Sequence, residues 1–280
     1  MKDTDVEKID AHHHFWRLER GDYGWLTSDM GVLYQDYLPN DLTPCLQENG
    51  VVGTLLVQAA PTEAETHYLF GLAMQTDYIR GVVGWIDFQA EDASERVRRV
   101  AEHPRCIGLR PMLQDMPDAT WILARELAPV FAAMVQANLT FDALIRPHQI
   151  GLIHQLAVRY PVLRIVVDHC AKPAIAARQF DEWSDRIGNL AGEANVFCKF
   201  SGLTTEAGPG WTVVTLDRYF KRVWNVFGPD RILWGSDWPV CLGTASYAAW
   251  ITASETLTQD LPVLEQRAFF STNAHRAYKI

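Results

Sequence analysis

Residues Lys8–His14 read KIDAHHH: a short apolar run that turns into three consecutive imidazoles. Seven further short β-rich runs follow along the chain. They are Gly53–Gln58 (GTLLVQ), Val82–Asp87 (VVGWID), Cys106–Arg110 (CIGLR), Thr140–Ile145 (TFDALI), Arg164–His169 (RIVVDH), Val196–Phe200 (VFCKF) and Arg231–Asp237 (RILWGSD). Several are continuously apolar rather than alternating, the pattern of strands buried on both faces of a parallel sheet. Helical stretches separate them: Thr62 to about Asp77, Ala93–His103, Asp118–Asn138, Pro147–Arg159, Phe180–Ala194, Val213–Phe227 and Thr244–Thr256. Thr62 and Glu65 form a capping box at the start of the first of these. Strands alternating with helices over roughly 250 residues predict an α/β fold, a (β/α)8 TIM barrel. A doubly wound sheet is the alternative, but no G-x-G-x-x-G follows a strand. The whole chain, 1–280, reads as a single domain, with an aromatic-rich loop at about 15–39 that we expect to form a lid or pocket wall.

Composition narrows the functional classes. The 280 residues are 48% hydrophobic and 21% charged, with a net charge of -9, a soluble globular mix. That acidic balance argues against a nucleic-acid partner, which needs a basic patch. No run is long and apolar enough to span a membrane. The start, MKDTDVEKID, has no apolar core of a signal peptide. Five cysteines, an odd number with no C-x-x-C, fit a reducing cytoplasm better than a disulfide framework. Self-association into a homo-oligomer is left open.

A barrel of this kind builds its site at the carboxyl ends of the strands. Strand alternation puts His12 and His14 on one face and His13 on the other. Gln58, Arg110, His169, Lys199 and Asp237 end strands two, four, six, seven and eight, and His148 lies just past strand five. Trp25, Trp211 and Trp238 fall in or beside rim loops, where aromatic faces can cover apolar patches of a ligand. The expected catalytic set is Asp237, His12, His14, His169 and Arg110. The expected substrate contacts are Trp25, Gln58, His148, Lys199, Trp211 and Trp238. No G-x-S-x-G elbow points to a serine nucleophile. Cys170 and Cys198 read as packing residues.

These motifs resemble the amidohydrolase superfamily: His12-x-His14 after strand one, His169 in VVDHCAKP, and Asp237 in ILWGSDWP. KIDAHHHFW, GWLTSDM, LLVQAAPTEAET, GLRPML and CKFSGL resemble its sugar-lactonase branch, the L-fuconolactonase and L-rhamnonolactonase-like enzymes, related to pyrone dicarboxylate lactonase. The resemblance implies hydrolysis of a small sugar lactone, with Asp237 as general base and no metal required. Arg110 stands where the superfamily's two-metal sites carry a bridging residue, and a guanidinium cannot ligate a metal. His12, His14 and Asp237 would still suit a single zinc. The competing readings are a zinc-dependent decarboxylase of an aromatic acid on the same barrel and a non-catalytic sugar-binding protein.

Overall fold

The computed structural model describes residues 6–280; the charged start at residues 1–5 lies outside them. Eight strands lie in chain order in one sheet: β1 (Lys8–His13), β2 (Val51–Val57), β3 (Ile79–Gly84), β4 (Cys106–Leu109), β5 (Thr140–Ala143), β6 (Ile165–Val167), β7 (Val196–Phe200) and β8 (Ile232–Trp234). Every neighbouring pair from β1 to β8 is parallel. The ring closes through the segment after β8: Asp237 N donates to His12 O at 2.8 Å and His14 N to Trp238 O at 2.7 Å. The fold is thus the expected (β/α)8 barrel. Among the described residues no helix is long and apolar enough to cross a membrane.

The connections hold α1 (Pro39–Glu48), α2 (Glu63–Gln75), α3 (Ala93–Ala101), α4 (Ala128–Gln136), α5 (Ile150–Arg159), α6 (Asp181–Ala191), α7 (Leu203–Ala207), α8 (Val213–Phe227), α9 (Tyr247–Thr258), α10 (Val263–Arg267) and α11 (Asn273–Tyr278). The helix expected over 118–138 is shorter. Two 3-10 turns, Thr120–Leu123 and Arg125–Leu127, precede α4, because Ala124 is extended and Pro129 suits only a first helical turn. The Thr62 cap forms, accepting from Glu65 N at 3.1 Å. The other half of the box does not. The Glu65 carboxylate instead accepts from Ala59 N and Ala60 N, tying the β2–α2 loop to its helix.

Two apolar layers hold the barrel. The strands' outer faces pack against the helices in one large cluster. A second cluster fills the barrel: Ile9, Leu55, Val57, Val83, Ile107, Val166 and Leu233, sealed from below by Ala274, Ala277 and Tyr278 of α11. Filling of this kind makes the interior a core and confines chemistry to the open upper rim. The 15–39 loop is ordered by an antiparallel bridge between Trp16 and Tyr37. Trp16 meets Trp25 and Tyr37 edge-on, and Tyr37 meets Trp238, with centroids 5.1–5.5 Å apart.

Candidate active site

The rim begins with a fault in β1. Its pairing with β2 runs Asp10 to Thr54 and then His13 to Leu56, so three steps on β1 oppose two on β2. Such a bulge re-aims side chains. Ile9 and Ala11 face the barrel interior, and past the fault His12 and His14 face the mouth. His13 turns outward, its Nε2 2.8 Å from Thr54 Oγ1.

Asp237 sits at the centre. Its Oδ1 lies 3.4 Å from His14 Nε2, 3.7 Å from His12 Nε2 and 3.9 Å from His169 Nε2. The backbone bonds that close the barrel wedge it between His12 and His14. Buried Asp10 holds this wedge from behind, accepting from Ser236 N at 2.8 Å and Tyr247 OH at 3.1 Å. Burial raises the Asp237 carboxyl, but His169, His14 and His12 outweigh it and hold the group well below the usual carboxylate range. Burial lowers the His169 imidazole to about 4 despite Asp237 and Asp168, and it pushes His12 well below its ordinary value. The centre thus holds a carboxylate, with burial favouring the neutral form of the His12 and His169 imidazoles beside it.

His169 arrives by an unusual backbone. Residues His169, Cys170, Ala171 and Lys172 all have φ between 51° and 59°. A left-handed run of side-chain-bearing residues costs about 1–2 kcal/mol per residue, and strain of this kind gathers at functional sites. Gly202, with φ +66°, makes room opposite. A Cβ there would stand 2.7 Å from His169 Nδ1 and 3.2 Å from Asp237 Oδ2. The same imidazole nitrogen bonds Ser201 Oγ at 2.9 Å.

Beneath lies a buried charge network. Asp168 Oδ1 approaches His12 Nδ1 at 3.3 Å and Lys199 Nζ at 3.1 Å, and Oδ2 accepts from Arg110 Nη1 at 3.1 Å. Lys199 Nζ also donates to Asp142 Oδ2 at 2.6 Å, and Tyr278 of the floor helix donates to the same carboxylate. Two carboxylates balance two cations, and this balance permits burial. Burial raises Asp168, but Lys199, His12 and Arg110 prevail and keep it well below the usual range. Asp10, Asp142 and Asp168 escaped the sequence reading. Their only signal was an acidic residue within an apolar strand run.

A cavity of about 190 Å³ opens above, lined by His14, Arg110, His169 and Asp237 with Trp25, Ala59, Met112, Gln114, Asp115, Leu144, Lys172 and Val240. Larger hollows of about 400 and 390 Å³ lie between outer helices and at the opposite end of the barrel, and neither brings a histidine together with an Asp or Glu side chain. Of the six expected substrate contacts, only Trp25 lines this cavity, its indole donating to Ala59 O at 2.7 Å. Lys199 is fully buried and spent on Asp142 and Asp168. Gln58 lies under the rim and braces Arg110, donating to Arg110 O at 2.9 Å and accepting from Nη2 of the same residue. His148 is exposed in the turn before α5, because the chain has already left the rim by Pro147. Trp211 points its indole at Thr244 O, and Trp238 is buried against Phe15 and Tyr37. Met112, Gln114, Asp115 and Val240 were missed, since they sit on loops that no strand pattern marks; Leu144 lies in the TFDALI run, just past the end of β5, and as an apolar residue gave no sign of lining a site.

The donor chemistry fits one metal ion. His12, His169 and Asp237 offer ligand atoms all within 4.8 Å of one another. His14 Nε2 also approaches His12 Nε2 at 3.2 Å, so His169 widens the expected set. Zinc binds such groups at about 2.0–2.2 Å, which sets its donors roughly 3.3 Å apart. Against this, the Arg110 guanidinium stands 3.4 Å from His12 Nε2, a fixed positive charge beside the ligand position.

A (β/α)8 barrel with imidazoles from β1 and the β6 end around a carboxylate after β8 has the arrangement of a hydrolase of the amidohydrolase type. The chain belongs to the amidohydrolase family: residues 9–280 match the family described as Amidohydrolase. It is 40% identical over 277 residues to an L-fucono-1,5-lactonase of Burkholderia ambifaria, covering 98% of this chain and 96% of the relative. An L-fucono-1,5-lactonase of Burkholderia multivorans is 33% identical, with 98% and 96% covered. A crystal structure of an amidohydrolase from Burkholderia multivorans with bound zinc superimposes with a TM-score of 0.92 at 33% identity, covering 98% and 99% of the two chains.

Proposed function

We propose that this protein hydrolyses a sugar lactone of the L-fucono type to the open sugar acid, using water deprotonated by Asp237. The observation that carries this reading is the ionised carboxylate ringed by three imidazoles beside a cavity of about 190 Å³. The two lactonase relatives support the substrate class.

Asp237 takes a proton from water as the water oxygen bonds to the lactone carbonyl carbon. His12, His14 and His169 orient that water. The carbonyl electrons move to oxygen, where Arg110 faces the developing charge. Arg110 lines the cavity, and its Nε is buried with no hydrogen-bond partner among the described residues. Collapse breaks the bond from the carbonyl carbon to the ring oxygen, and the departing oxygen takes the proton from Asp237. Zinc held by His12, His169 and Asp237 would supply Lewis acidity when bound. We read the reaction as needing none, because the Arg110 charge beside His12 opposes a dication. The same charge disfavours a metal-dependent decarboxylase. We read residues 1–280 as one domain, and the free cysteines as fitting the cytoplasm.

The test is a panel of 1,4- and 1,5-aldonolactones in a pH-indicator assay, before and after chelation. Turnover of at least one lactone that survives chelation is expected. Inactivity on every lactone refutes the reading, and turnover that chelation abolishes refutes its metal-free form.

A further inference from the structure

We propose that Lys172 determines specificity in this cavity, its ammonium binding ring hydroxyls of the lactone. The inference rests on the lactonase reading above. It starts from the left-handed turn at residues 169–172, closed by Lys172 N donating to His169 O at 2.8 Å. The turn sends two side chains three positions apart into one cavity. Cys170 between them is fully buried and directs its thiol to Lys199 O. A relaxed backbone here would separate the imidazole from the ammonium, so the strain serves to hold both at one ligand.

The two lysines near the site differ in a telling way. Lys199 is saturated by Asp142 and Asp168. Lys172 is partly buried and lines the cavity, yet its ammonium makes no hydrogen bond or ion pair among the described residues. Burial disfavours its charge, while Glu206 of α7 and Asp237 act against that loss; Arg146 and Arg110 add to it. An ammonium offers three donors and no acceptor. A withdrawn, unpaired ammonium is matched by a ligand rich in acceptor oxygens. Trp25, Leu144 and Val240 supply apolar cavity surface and cannot read hydroxyls.

The test compares the full chain with Lys172→Met and Lys172→Arg. Calorimetry measures affinity for two ring-nitrogen analogues that resist hydrolysis, a polyhydroxylated 1,5-aldonolactam and unsubstituted δ-valerolactam. Turnover of the matching lactones is followed in parallel. Lys172→Met should lower the preference for the hydroxylated ring about 10- to 100-fold, in affinity and through KM rather than kcat. Lys172→Arg should recover part of it. A preference within threefold of the parent in Lys172→Met overturns the proposal, as does failure of the parent protein to prefer the hydroxylated lactam. Loss of kcat on both lactones at unchanged KM also overturns it, by placing Lys172 in the chemistry. Lactam selectivity that depends on Lys172 without turnover of any lactone upholds the proposal and refutes the lactonase reading alone.

Discussion

Gly202→Ala is a one-carbon change whose effect follows from three distances. The new Cβ would meet His169 Nδ1 at 2.7 Å, His169 Cγ at 2.9 Å and Asp237 Oδ2 at 3.2 Å. Heavy atoms settle at about 3.5–4.0 Å, so the imidazole must retreat by about 1 Å. That retreat also breaks its 2.9 Å bond to Ser201 Oγ. Gly202 itself sits at φ +66°, where alanine costs about 1–2 kcal/mol. A shift of 1 Å in a reacting constellation costs about 100-fold in rate. The variant should therefore stay folded, lose a few degrees of thermal stability, and lose about 100-fold in kcat/KM for the best lactone of the panel. Circular dichroism melting and initial rates in the pH-indicator assay measure the two effects. A folded variant with kcat/KM within threefold of the parent would refute the assignment of His169 to the reacting centre.

Three further outcomes follow from the same geometry. Asp237→Asn keeps the shape but removes the base, so kcat should fall about 10²–10⁴-fold with the fold intact; near-normal turnover removes Asp237 from that role. The mechanism needs Asp237 ionised and His169 neutral, and with the first held low and the second at about 4, activity should be flat above about pH 5 and fall as pH drops through about 4. An acid limb near 6.5 in kcat/KM would contradict this. Lys199→Met strands Asp142 and Asp168 without their shared cation, so urea denaturation should show a loss of about 3–5 kcal/mol; unchanged stability with a raised KM would restore Lys199 as a substrate contact.

The order of elements was legible because its causes are local. Strands covered on both faces are largely apolar rather than alternating, and RIVVDH and VFCKF show this within five or six residues. A hydroxyl cap such as Thr62 acts on an amide three residues away. The rim was legible for the same reason, since His12, His14, Arg110, His169 and Asp237 stand where apolar runs stop. The failures have a different cause. Glu65 resembles the second half of a capping box, yet its carboxylate serves Ala59 and Ala60 because the loop folds back over it. Lys199 ends a strand as Arg110 does, but Asp142 and Asp168 pair with its ammonium and Tyr278 of the floor helix packs against it.

Chain order alone therefore established the barrel and nominated a ring of rim residues, because burial periodicity and strand ends leave a mark every few positions. It said nothing of which nominees share a cavity. That was settled by the β1 bulge, by the bonds from 237–238 back to His12 and His14, and by the left-handed turn at 169–172. Each joins groups far apart in the chain or sets a backbone angle that only the surrounding packing can hold. Such constraints leave no pattern in the neighbouring residues.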